Sequence, residues 1–349
     1  MGFSPTNKLP LTTIPRAEIG MRLFSMVLAA LAFAGQPAFA SEAQEDLKTC
    51  INPNPPDAVI ASCTRVIADT TFDASKRGGA LFFRALARER KQDTDGAMAD
   101  LDEAIRIDPR PASAYVTRSR LYRDAGDDEK AFADLNAAVR NYPNAPLFYV
   151  ERGMFYSDKG RYDFAVDDFN TAIQLKPDYA RAYWARGYAN AQMHEVERAI
   201  ADYSEVIKLD PAAAQAYIGR ADLLRQRGES DLAIADLSEF IRLDPSSYGA
   251  LITRGNLHRD KGQYDQAIAD YTAAIGIIPT LIEAYYERGV ANRLKGDREQ
   301  AIADFRRVVR TAPLASNKAL AELQALGVET PNSEQDAMKQ GVLDLLKNR

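Results

Sequence analysis

The chain is poor in the residues that perform chemistry: its 349 residues include two histidines, two cysteines and one tryptophan. Few side chains are therefore on hand as general bases, metal ligands or thiol nucleophiles. There is no Gly-rich phosphate loop and no nucleophile elbow. The nearest approach to a zinc motif, "HEVER" from His194, has an arginine where the second histidine must stand. Half of a calcium loop, "DTDG" at Asp93 to Gly96, has Lys91 at its first ligand position and reads as a polar turn. No catalytic set, metal or cofactor is expected, and an enzyme is the least supported class. Positive charge is in deficit as well, with 44 Lys and Arg against 49 Asp and Glu, a net charge of -5. An acidic chain lacks the phosphate-neutralising surplus that drives nucleic-acid binding, so no nucleic-acid partner is expected.

Long apolar runs are missing too. The stretch from Leu23 to Gly35 is 13 residues, short of the ~20 that cross a bilayer. It follows Arg22 and precedes "QPAFA" and a polar run beginning "SEAQED", which is the layout of a cleavable signal over residues 1–40, cut after Ala40. Met21 is an alternative start, because residues 21–40 form a complete signal by themselves. Removing residues 1–40 leaves 41 basic and 48 acidic residues, a net charge of -7. The expectation is an exported protein, periplasmic or secreted, with no stable membrane insertion after cleavage.

What the chain does have is a period. Pro109, Pro143, Pro177, Pro211, Pro245, Pro279 and Pro313 follow one another at a constant interval without a slip, so one 34-residue unit is repeated seven times. An alanine stands twelve positions before each proline, an aspartate nine before it and an arginine twenty-five before it. Within a unit, Leu251, Gly255 and His258 fall on one helical face and Ala267, Tyr271, Ala274 and Ile275 on another. Each unit is thus a helical hairpin. A glycine (Gly126, Gly160, Gly228, Gly262, Gly296) or, in two units, Gln92 or His194 separates its two helices, where the chain needs a left-handed residue. The proline ends the second helix. His258 shares its slot with Tyr122, Tyr156 and Leu224 and reads as packing.

These residues closely resemble the tetratricopeptide repeat. Tyr115, Tyr149, Tyr183, Tyr217 and Tyr285 fill the family's first aromatic slot, Gly153, Gly187, Gly255 and Gly289 its small slot, and Phe169, Tyr203, Tyr271 and Phe305 its second aromatic slot. The resemblance covers residues 78–315 and implies an all-α, right-handed superhelical solenoid of helix-turn-helix hairpins. It further implies that the first helices line a concave groove holding an extended peptide or a partner's helix. One departure is systematic: where the family most often has leucine, this chain has Arg84, Arg118, Arg152, Arg186, Arg220, Arg254 and Arg288. Sixteen residues on come Asp100, Asp134, Asp168, Asp202, Asp236, Asp270 and Asp304. Each arginine is expected to reach an aspartate, across its own hairpin or to the preceding one, as a structural charge-assisted pair.

Cys50 and Cys63 lie in what reads as a degenerate hairpin over residues 41–77, and in an oxidising compartment they are expected to form a disulfide. After residue 315 the period dissolves, and residues 316–349 read as capping helices.

The slots assigned to the groove by the resemblance vary from unit to unit. One is an apolar ladder (Phe82, Val116, Val150, Trp184, Ile218, Ile252, Tyr286); the others include Met154, Tyr188 and Asn256, and late arginines Arg225, Arg259 and Arg293. The expected ligand has an apolar anchor near Trp184 and acidic groups toward the arginines. The bland alternative is that the ladder packs hairpins and the arginines form a solvated face. Functionally, the reading is a non-enzymatic scaffold or adaptor of the bacterial envelope with a protein or peptide partner; a chaperone-like binder of unfolded or acidic peptides is the alternative.

Overall fold

The structure, a computed structural model, describes residues 38–52, 55–108, 112–312 and 316–329. The expected signal segment, apart from its last three residues, and the closing stretch from residue 330 on lie outside them, as do Pro109 and Pro313. The described residues form seventeen α-helices and no strand, an all-α solenoid fold. The chain divides into two compact units, one up to Ala114 and one from Tyr115 on.

In the first unit, α1 (Ala38–Cys50), α2 (Pro56–Ala68), α3 (Ala74–Arg90) and α4 (Thr94–Ile107) pack each against the next. A disulfide joins Cys50, the last residue of α1, to Cys63 in α2, with the Cα atoms 4.7 Å apart. Both cysteines are buried among Leu47, Val59, Val66, Phe72, Ala80 and Phe83. Asp73 and Asp93 begin α3 and α4 by accepting hydrogen bonds from the Lys76 and Gly96 backbone N–H groups at 2.8 and 3.0 Å, which satisfies a donor the helix itself leaves unpaired.

The second unit continues with the paired helices α5 (Ala112–Asp124) and α6 (Asp128–Asn141), α7 (Pro146–Asp158) and α8 (Tyr162–Leu175), α9 (Ala180–Gln192) and α10 (Val196–Leu209). Three more pairs follow: α11 (Ala214–Gln226) and α12 (Ser230–Leu243), α13 (Tyr248–Asp260) and α14 (Tyr264–Ile277), α15 (Ile282–Lys295) and α16 (Arg298–Thr311). A single helix, α17 (Asn317–Ala325), packs against α16. From α7 onward each helix packs against its neighbours in sequence, and the first helices α7 and α9, α9 and α11, and α13 and α15 also touch.

The repeat pattern explains why the hairpins close so tightly. The small slot on each first helix faces the second aromatic: a Cβ added to Gly153 would sit 2.5 Å from Phe169, and one added to Gly255 or Gly289 would sit 2.8 Å from Tyr271 or Phe305. Tyr271, Phe169 and Phe305 are accordingly the largest fully buried side chains. The turn between helices demands positive φ, met by five glycines and by two residues that bear a side chain, Gln92 at 64° and His194 at 60°.

Candidate interaction surface

The invariant arginine and aspartate meet inside each hairpin. Arg84 Nε and Nη2 donate to the two carboxylate oxygens of Asp100 at 2.9 and 2.6 Å. The same two-pronged contact joins Arg152 to Asp168, Arg220 to Asp236, Arg254 to Asp270 and Arg288 to Asp304, with all eight distances between 2.6 and 3.0 Å. Arg118 pairs likewise with Asp134, and Arg186 with Asp202, which also accepts from Asn190 at 3.0 Å. Every one of these aspartates is buried. Burial pushes the Asp168 carboxyl up from its ordinary value, while the hydrogen bond to Asp168 raises Arg152. The two guanidinium bonds keep the pair ionised at neutral pH.

The remaining guanidinium nitrogen goes elsewhere. Nη1 of Arg152, Arg186, Arg220, Arg254 and Arg288 reaches back 16 residues to the preceding hairpin, to Asn136, Asn170, Ser204, Ser238 and Thr272, at 2.6 to 3.0 Å. Each of these five arginines therefore ties two neighbouring hairpins as well as the two helices of its own. We call this arrangement a rung.

The groove slots have the opposite character. Trp184 and Tyr188, one turn apart on α9, stack with ring centroids 6.1 Å apart and an interplanar angle of 11°, and both are partly exposed. Burial raises the Tyr188 hydroxyl above its ordinary pKa. Met154 is only 8% exposed, and Arg181 Nη2 stands 3.1 Å from its sulfur. Arg181 is itself paired with Glu151 at 2.7 Å, bridging α7 and α9. Ile218 packs against the core that its own hairpin shares with Ala250 and Leu257 of the next, and Asn256 accepts a 2.8 Å hydrogen bond from the Tyr271 hydroxyl.

The apolar ladder is not uniformly open, since Val150 and Ile252 are 0% and 6% exposed and serve packing. The late arginines are not free either. Arg225 pairs with Asp222 at 3.0 Å, Arg259 with Glu287 and Asp260, and Arg293 with Glu322 of α17 at 2.8 Å. The expected row of acid-seeking cations is thus charge-compensated from within, and an acidic ligand would have to displace a carboxylate already in place. Glu151 and Glu287 stand in one repeat slot that holds Thr117, Ala185, Gly219 or Thr253 in other units, and Arg181 has no arginine in the matching positions, so none of these ion pairs announces itself unit by unit in the sequence. Glu287 is largely buried, and burial raises its pKa in spite of Arg259.

Among the described residues no three His, Cys, Asp or Glu side chains are grouped to hold a metal ion, and no helix is long and apolar enough to cross a membrane.

Comparison with known proteins agrees with the repeat. Sequence profiles described as TPR repeat match residues 155–194 and 255–296, and profiles described as tetratricopeptide repeat match residues 82–146, 191–248 and 282–313. No curated protein matches the chain. Among solved structures, Pseudomonas aeruginosa pilF is similar with a TM-score of 0.53 at 19% identity, covering 60% of this chain and 96% of that one. YrrB, described as a TPR protein with an unusual peptide-binding site, is similar with a TM-score of 0.50 at 18% identity, covering 54% of this chain and 97% of that one. These two likenesses concern the fold. With the hairpin recurring at a fixed period and the profiles matching along the array, the chain belongs to the tetratricopeptide repeat family.

Proposed function

We propose that this protein is a non-enzymatic interaction scaffold that grips a partner's extended segment or helix at the middle of its groove, with Trp184 and Tyr188 as the anchor. Proteins of this family mediate protein-protein interactions. The observation that carries the proposal is the Trp184–Tyr188 stack, the chain's one tryptophan held partly exposed against a tyrosine. Aromatic side chains so presented give contact area at low cost in conformational entropy, and tryptophan and tyrosine dominate binding hot spots. Met154, Ile218 and Asn256, on the first helices of other hairpins, belong to the same proposed surface, and Arg225, Arg259 and Arg293 follow the anchor in the array. Because those arginines are already paired, apolar contact is the main source of affinity and the charges set register.

The export reading belongs to the same proposal: residues 1–40 direct the chain to the envelope or beyond, residues 41–77 start the array under a disulfide, residues 78–315 form its seven repeats and residues 316–349 cap it. A protein acting there would serve as an adaptor. The experiment is affinity capture from the exported fraction with wild type and Trp184→Ala/Tyr188→Ala. One stoichiometric partner retained by wild type and lost by the variant supports the adaptor. A heterogeneous set of peptides supports a chaperone-like binder, and equal capture by both proteins overturns the anchor.

A further inference from the structure

The last hairpin departs from the others on the exposed face of its second helix. In earlier hairpins of the second unit, that face carries the hydroxyl or amide that accepts the next arginine (Asn136, Asn170, Ser204, Ser238, Thr272), and no cation in excess beyond Arg140. Where acids and bases do occur there they cancel, as Glu205 with Lys208 and Glu239 with Arg242. On α16 the three matching positions are Arg306, Arg307 and Arg310, all exposed. Arg307 lies over the Tyr285 ring at 5.7 Å, and none of the three has a carboxylate partner among the described residues.

Like charges at i,i+3 and i,i+4 repel one another on a helix, as Arg310 does with Arg307 and Arg306. Arg310, in the last turn, gains from the helix dipole. That gain does not account for an arginine at 306, where a neutral acceptor stands elsewhere, or at 307, where Glu205 and Glu239 stand in two other hairpins. The acid in line on the same helix, Glu299, is seven residues away, about 10 Å by the helical rise. The face opposite, with Ala301, Asp304, Phe305 and Val308, is buried, so the cations point away from the hairpin's own core.

We propose that the exposed face of α16 is a second docking surface, separate from the groove, for an acidic segment of a partner protein. The choice of partner follows from charge and composition. Guanidinium forks match carboxylates in pairs, and the face offers no large apolar side chain to enter a bilayer. Three cations attract an anionic membrane only weakly, short of lasting attachment, and the net charge of -5 opposes approach to such a surface.

The test uses the full chain and a fluorescein-labelled octaglutamate peptide, read by fluorescence polarisation at low and moderate salt. Wild type is expected to bind with an affinity that falls as salt rises, and Arg306→Gln/Arg307→Gln/Arg310→Gln to bind at least tenfold more weakly. Trp184→Ala, which tests the groove, and Arg242→Gln, which removes a self-paired arginine, are each expected to change binding less than twofold. A thermal melt of the triple variant at or above that of wild type establishes that it is folded; if it falls, Arg306→Gln alone is measured, with a threefold loss expected. Equal binding by wild type and the folded variant overturns the proposal. So does binding of phosphatidylserine vesicles without binding of octaglutamate, or displacement of the peptide by inorganic phosphate at equal charge.

Discussion

The rung side and the groove side of the hairpins are built from the same helices under opposite rules. On the rung side every hairpin places the same arginine against the same buried aspartate with nearly the same distances. On the groove side equivalent slots hold tryptophan, isoleucine, valine or tyrosine, and the ion pairs there, Arg181 with Glu151 and Arg259 with Glu287, occur once each. The difference teaches that uniform burial answers to the stacking of hairpins, which is the same everywhere, while slots free of that common duty vary from hairpin to hairpin, as the proposed partner contacts would require.

The sharpest way to break the comparison is Asp202→Ala. It leaves the Arg186 guanidinium and the Asn190 amide facing an empty buried site, and loss of one partner of a buried pair costs about 3 to 5 kcal/mol. Denaturant unfolding of the two variants should show Trp184→Ala less destabilised than Asp202→Ala; the reverse order would dissolve the distinction between the sides.

Next in size is Cys63→Ser. The disulfide joins positions 13 residues apart, so its removal is expected to cost about 3 kcal/mol in the chain-entropy description. Amide exchange should accelerate in α1 and α2, with α9 to α12 unchanged. Exchange that rose equally throughout the chain would mean that the staple is not local.

A smaller effect of opposite sign is expected from His194→Gly. The histidine holds φ at 60°, a conformation that costs a residue with a side chain about 1 kcal/mol relative to glycine, so the melting temperature should rise. If partner capture falls at the same time, His194 belongs to the groove side of the comparison; if the melting temperature drops, the turn is stabilised by contacts of the imidazole.

The smallest effect concerns pH. Burial raises Glu287 from its ordinary value of 4.5, so the folded chain holds this proton more tightly than the unfolded one. Its contribution to stability is greatest below the unfolded value and declines as pH rises through the folded value. Glu287→Gln should therefore flatten the stability profile just above pH 4.5, measured by urea midpoints; an unchanged slope would show that Arg259 fully offsets the burial.

Much of this was legible in the sequence because it recurs. The hairpin, its left-handed turn and the Arg186–Asp202 type of pair return in every 34-residue unit, and a feature seen in every unit must serve something every unit shares. The acceptors Asn170 and Ser204 were less visible, since residues of different shape do the same work at one position. The pairing of Arg293 with Glu322 had no signal at all, because the acid lies in α17, beyond the period. Val150 and Trp184 occupy the same slot, yet one is buried and the other partly exposed, a difference that spacing does not encode.

The backward reach of the arginines from Arg152 to Arg288 makes that part of the array editable by whole units. Excising residues 214–247 would bring Arg254 into the place of Arg220, directly after the hairpin bearing Ser204, a hydroxyl that already accepts from an arginine at that distance. Donor and acceptor would meet across the new joint as they do now across the joints that Arg152, Arg186, Arg220, Arg254 and Arg288 span. Lengthening or shortening this part of the array by one whole hairpin therefore leaves no orphaned guanidinium, and its length becomes adjustable independently of the side chains that vary from hairpin to hairpin.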